Sequence, residues 1–399
     1  MAVSLLEKPP GCEWEHSEGS AVTATFPPTP SSTPKPEVAL PASTHHQPES
    51  PFPSSEAPGS QQPHLAPPLH TAPPAPQPGS IQAIIREQCR SRLYVPPIVW
   101  TSKQPRLLGC RFAFKRMHTT RQGQRDAEKE SATQQQTQQY QDRILAAAGL
   151  RGPAIASWWK LAIKDFLGAC NIHPLGSHST LPFRYGGHVV AKVKTEGIFS
   201  AGSTAPFLAY LNLETIDALR EKHVCCRVGR RHSVPVATLR QKKLRSLQPR
   251  PKAADPYIVA ALIALAQEQQ LRSHQTAGGR AVDAQAQSAS SKETEASSHE
   301  AAFFNVQVLA VPGARAQVLH VYKASIPSGF LDNLQKPSLF SPCSPILVSC
   351  WLVSLTEPEE VVEQISSLLR VPADARGQGP RPGRMVAYYR RMHDSNRAG

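Results

Sequence analysis

From Pro256 to Ala266 the chain reads Pro-Tyr-Ile-Val-Ala-Ala-Leu-Ile-Ala-Leu-Ala, with no charged side chain until Glu268. Asp255 ahead of it is a good helix cap, because its carboxylate can accept the orphan N–H groups of the first turn. Pro256 suits the first helical position, where a missing N–H costs nothing. Tyr257, Leu262 and Leu265 then belong to an apolar surface that runs nearly all the way round. A helix of this kind cannot lie on a surface; it has to be enclosed. The spacing predicts a buried helix over Asp255–Arg272, and the rest of the fold must supply walls on more than one side.

Two strand-like runs follow, Phe303–Val311 and Ala316–Ile326, joined by Pro312-Gly313-Ala314-Arg315. Pro345–Leu355 is almost wholly apolar, as expected of a strand covered on both faces. Val361, Val362, Ile365, Leu368 and Leu369 form a helical stripe over Pro358–Arg370. Pro327–Leu334 can make a short helical turn, and helix, strand, strand, short helix, strand, helix predicts an α+β fold, one small sheet with helices packed on it. Upstream, Ser80–Leu93 reads as a capped helix and Arg111–Lys115 as a short strand. Pro153–Asn171 reads as a helix with Trp158 and Trp159 on its apolar face. Phe207–Arg220 reads as another helix.

Composition divides the remainder. Residues 1–80 hold about half of the 39 prolines, too little apolar surface to offset ordering entropy, so a disordered Pro-rich tail is expected. Residues 81–121 form a basic segment joining the core, and 122–142 a Gln-rich linker that could equally be an exposed helix. The core is expected over 143–370, with a disordered insert at 274–300, followed by a flexible Arg-rich tail at 371–399. Met1–Lys8 offers only a short apolar run with Glu7 behind it, which does not read as a secretory leader. No run is long enough for a membrane span. The eight cysteines show no C-x-x-C spacing, and reduced thiols in the nucleus or cytoplasm are expected.

The formal charge of +14 is concentrated. Arg86–Arg121 carries nine Lys/Arg against Glu87 alone, a net +8, and Arg220–Lys252 eleven against Glu221 alone, a net +10. Together these windows exceed the whole charge, so the rest is slightly acidic. Arg227, Arg230, Arg231, Lys242, Lys243 and Arg245 are the candidate polyanion-binding residues. Arg230-Arg231 with Lys242-Lys243 also resembles a split nuclear-localisation signal, and Ser233 sits behind two arginines as a basic-directed kinase site would. The plainer reading of such clusters is a solvated surface.

No G-x-S-x-G, H-E-x-x-H, phosphate loop or dinucleotide fingerprint is present, so neither a catalytic set nor a cofactor is expected. The helix–hairpin order invites comparison with nucleases bearing a PD…(D/E)xK signature, whose chemistry needs carboxylates on the hairpin to hold a divalent cation. Lys323 stands at the lysine position, but Val321, Asn305 and Gln307 stand where acids would be. Such a nuclease would have to draw its acids from elsewhere, such as Glu214, Glu221 or Asp255.

Over about a third of the chain there is a resemblance to a known group. Asp255-Pro-Tyr-Ile-Val-Ala-Ala-Leu-Ile-Ala-Leu-Ala-Gln267, Val318–Ala324 and Ile326-Pro-Ser-Gly-Phe-Leu-Asp332 resemble a family of uncharacterised filamentous-fungal proteins with a D-P-Y apolar helix followed by a β-hairpin. The resemblance implies one folded module and names no ligand. The function expected is that of a non-enzymatic intracellular protein-interaction module with an unknown protein partner. A basic nucleic-acid-associated protein and a degenerate nuclease fold are the alternatives.

Overall fold

The computed structural model describes residues 75–89, 95–117, 134–151, 156–177, 179–202, 205–226, 234–284 and 302–369. The tails expected from composition lie outside these residues, apart from 75–80. The fold is α+β, but the sheet is larger than expected. Seven strands run in the order β1 (Cys110–Lys115), β9 (Ile346–Ser354), β8 (Val318–Pro327), β7 (Phe303–Val311), β6 (Leu208–Asn212), β5 (Gly197–Ser200) and β2 (His173–Pro174). β1 pairs with β9 and β6 with β7 in parallel, and the other neighbours are antiparallel. β3 (Thr180–Tyr185) and β4 (His188–Lys194) make a separate hairpin. Its two-residue turn, Gly186-Gly187, has positive φ at both positions, the backbone that glycine adopts without strain and that matches strand twist.

The helix α7 (Pro256–Ala284) lies between the large sheet and this hairpin. That placement answers the problem posed by its all-round apolar surface. Every residue from Tyr257 to Ala266 is at most 2% exposed, Leu262 and Leu265 among them, and a fully buried leucine contributes roughly 1.5–3 kcal/mol. Asp255 caps as expected, its Oδ1 accepting from Tyr257 N at 2.9 Å. Polar side chains then fasten the hairpin at two points. Tyr257 Oη donates to Lys194 O and accepts from Lys194 N, while the Gln267 amide bonds both N and O of Arg184. The hairpin therefore sits on α7 by backbone recognition as well as by apolar contact.

On the other face of the sheet pack α3 (Gln134–Ala148), α4 (Ala156–Ala169) and α9 (Pro358–Leu369). Trp159 in α4 is 1% exposed and its indole N–H donates to Ala314 O at 2.9 Å. Its neighbour Trp158 is 49% exposed, so only one of the tryptophan pair is core. α1 (Ile81–Glu87) begins at Ser80, whose hydroxyl accepts from Ala83 N. α2 (Lys103–Leu107) leads into β1, and α8 (Ser328–Gln335) links β8 towards β9.

The structure corrects two boundaries and decides a third between linker and helix. Phe207–Arg220 is not one helix: Leu208–Asn212 is the interior strand β6, wholly buried, and the helix α5 (Leu213–Cys226) starts after it. Leu208 and Leu211 fit helical spacing, but both faces of an interior strand are covered, and burial outranks propensity. Asn212 marks the change, its side chain accepting from Glu214 N. The insert expected from His274 is helical up to Ala284, and the Gln-rich linker is helical from Gln134.

Buried His320 on β8 gives a pH prediction. Its Nδ1 lies 3.1 Å from Tyr322 Oη, which itself donates to Ala253 O. The hydroxyl is thus left to accept from the N–H of a neutral imidazole. Burial lowers the His320 pKa from the ordinary value, so the unfolded chain takes up the proton first. Stability contributed by this group is complete above about pH 6.5 and is lost as pH falls below it. His320→Gln is expected to flatten the fall in Tm between pH 7 and pH 5 relative to wild type. An unchanged fall would remove His320 from the acid response.

Candidate functional site

Basic helix α6 (Val234–Leu247) carries the described part of the candidate cluster, Lys242, Lys243 and Arg245, all exposed or nearly so. Arg227, Arg230, Arg231 and Ser233 lie outside the described residues. α6 packs against α5, and its less exposed residues Val236, Arg240, Leu244 and Leu247 recur at helical spacing. The flank of this stripe is open. There Leu239 is 65% exposed, with Lys242 and Lys243 three and four residues on, so the three share one face. Val234 at the first turn is 80% exposed. The helix contains no acid at all. Arg250 and Lys252 extend the positive surface into the connection to α7 and are also exposed.

Arg220 belongs to the same basic window but not to this surface. It is 1% exposed, against the surface role its window suggested. Its guanidinium meets the Asp255 carboxylate through both oxygens, at 2.8 Å and 2.5 Å, and reaches Asp217 Oδ1 at 3.3 Å. Nε donates to Ile98 O, which ties the first basic segment to α5 and α7. A planar fork of donors can hold one carboxylate through both oxygens and still reach two further acceptors, a geometry that a lysine ammonium does not match. The cap of α7 and the position of α5 are thus set by a single side chain.

Above this pair a cleft of about 260 Å3 opens between α5 and the Gln248–Lys252 connection. Asp217, Asp255, Arg250 and Lys252 are among the residues that line it. The cleft adjoins the end of α6, so the basic surface is continuous with a concave one.

Two of the three acids that a nuclease reading would draw on are engaged elsewhere, and the third, Glu221, is exposed on α5. Asp255 is paired with Arg220, and Glu214 Oε2 accepts from Ala314 N at 3.1 Å in the β7–β8 connection. Lys323 Nζ donates to Leu368 O in the last turn of α9, and its cross-strand partner is Gln307. Among the described residues no group of three His, Cys, Asp or Glu is placed to hold a metal ion. Cys350 is buried, and burial pushes its thiol up to about 11, well above the range of a nucleophile at neutral pH. None of the described helices is long and apolar enough to cross a membrane.

The basic residues of α6 were visible in the sequence. The exposed leucine beside them was not, because Val236, Leu239 and Leu244 read equally well as one buried stripe. No family model matches the chain, and no curated protein and no solved structure matches it significantly.

Proposed function

We propose that the protein is a non-enzymatic interaction module that presents α6 to an acidic protein surface. The observation that supports this reading is the composition of the helix's open face. Leu239 offers exposed apolar area, Lys242 and Lys243 flank it with charge of one sign, and Arg245 adds a further cation along the helix. Protein partners use both parts, the apolar residue for affinity and the charged rim for orientation and encounter rate. The split basic cluster supports a nuclear or cytoplasmic setting.

Nucleic acid is the second reading, favoured by the absence of acids from α6. The two differ in their use of Leu239. Phosphate contacts need only the cations and release counterions, giving a steep salt dependence with little base preference. In a mobility-shift titration of the full chain with duplex and single-stranded DNA, the acidic-partner reading expects weak binding even at about 50 mM salt, with no effect of Leu239→Ala. Tight, salt-sensitive shifts abolished by Lys242→Glu with Lys243→Glu would select nucleic acid instead.

A further inference from the structure

The β3–β4 hairpin is irregular on one strand. Arg184 stands opposite Val189 and Phe183 opposite Ala191, which leaves Val190 as an extra residue with no cross-strand partner. A regular strand sends neighbouring side chains to opposite faces. The bulge breaks that alternation, and Val190 and Ala191 line one cavity together. Bulges of this kind re-aim a side chain and are over-represented next to active sites. Val190 is 37% exposed, so solvent reaches the cavity.

The cavity has a volume of about 120 Å3. Ile81 and Ile85 of α1, Val95 and Trp100 after it, and Phe183 and Tyr185 of β3 all face into it. This lining is held in place by bonds of its own. Trp100 Nε1 donates to Val95 O at 3.0 Å, and the Trp100 ring meets Phe183 edge to face with centroids 5.5 Å apart. Gln82 N donates to Pro337 O and Gly186 N to Leu334 O, each at 2.9 Å, which ties α1 and the hairpin turn to the α8 region. A site assembled in advance gives up little freedom on binding. No charged side chain among the described residues lines it.

We propose that this cavity binds a small neutral aromatic molecule, one ring in size. Volume sets the size, since an engineered cavity of about 150 Å3 lined by Leu, Ile and Phe takes up benzene. The lining sets the chemistry. Trp100, Phe183 and Tyr185 offer ring faces and edges against which another ring packs favourably. An ion seated there would lose its water and gain no opposite charge. The cavity shares no lining residue with α6, so it is a second site, independent of the partner surface.

The test is fluorine NMR of the full chain with fluorobenzene or para-fluorobenzoate at matched ionic strength. Fluorobenzene is expected to broaden and to titrate with a Kd of about 3 mM or tighter. Para-fluorobenzoate should bind at least about fivefold more weakly. Non-specific attraction to a chain of net charge +14 would give the reverse order. Val190→Phe is expected to fill the cavity and abolish the broadening, and Ile85→Phe to do the same from α1. Val189→Phe makes the same change one residue away, at a position that does not line the cavity, and should keep wild-type binding. A cooperative thermal transition shows that each variant is folded. Lys242→Glu with Lys243→Glu on α6 should also bind as wild type, so a failed partner surface would leave this result intact. No broadening in wild type, equal affinity for the two probes, or undiminished binding in folded Val190→Phe or Ile85→Phe would overturn the proposal.

Discussion

Arg220→Met is expected to destabilise the protein by about 3–5 kcal/mol, the cost of leaving one partner of a buried ion pair uncompensated. Methionine keeps much of the volume but supplies none of the bonds to Asp255, Asp217 and Ile98. Asp255 would then be an anion 3% exposed beneath the start of α7. Removing its charge as well tests the cause. Asp255→Asn keeps an oxygen for the Tyr257 N–H, so the double variant is expected to recover much of the loss. Such non-additivity is what direct coupling between two side chains produces. Urea unfolding measures it as a midpoint shift at constant slope. Additive single losses would mean that the two residues act separately.

Leu262→Ala and Leu265→Ala are each expected to cost about 2–5 kcal/mol, from lost transfer free energy plus the cavity left behind. Both residues are enclosed, with the sheet on one side of α7 and the β3–β4 hairpin on another. Neither wall can collapse into the space without breaking its own backbone pairing, which argues for the upper part of the range. A Tm within a degree of wild type for both would show that α7 is not enclosed.

The same enclosure explains which elements are legible in the amino-acid sequence. α7 is legible because an apolar surface on every side of a helix has one physical solution. β7 matches its expected span, and β8, β9 and α9 fall within two residues of theirs, since their patterns end at proline, glycine or polar residues. β6 is not legible. Leu208-Ala-Tyr-Leu-Asn212 satisfies helical and strand spacing alike, and only its parallel pairing with the distant β7 decides between them. The far end of α7 is hidden too, because Gly278 and Gly279 weaken helix propensity and no apolar stripe marks the segment.

The candidate site shows the same limit. Charge singles out Lys242, Lys243 and Arg245 but cannot separate them from Arg220. That last cation is enclosed by carboxylates, one of them contributed from another part of the chain, and composition along a window carries no trace of that. Register raises a different matter at Gln307 and Lys323. The sequence places them near one another as an incomplete metal site, and the register sets Lys323 directly between Gln307 and Ser349, with no carboxylate in the row.

The proposed interaction rests on α6, and the decisive measurement is capture of proteins from nuclease-treated native extract by the full chain and its variants. Wild type is expected to retain a partner after nuclease treatment. Lys242→Glu, Lys243→Glu and Arg245→Glu combined should reduce recovery about tenfold or more, as reversal of a complementary rim does. Leu239→Ala should weaken it about fivefold through lost apolar contact alone. Capture that disappears with nuclease, or that survives both sets of changes, would contradict the role assigned to α6.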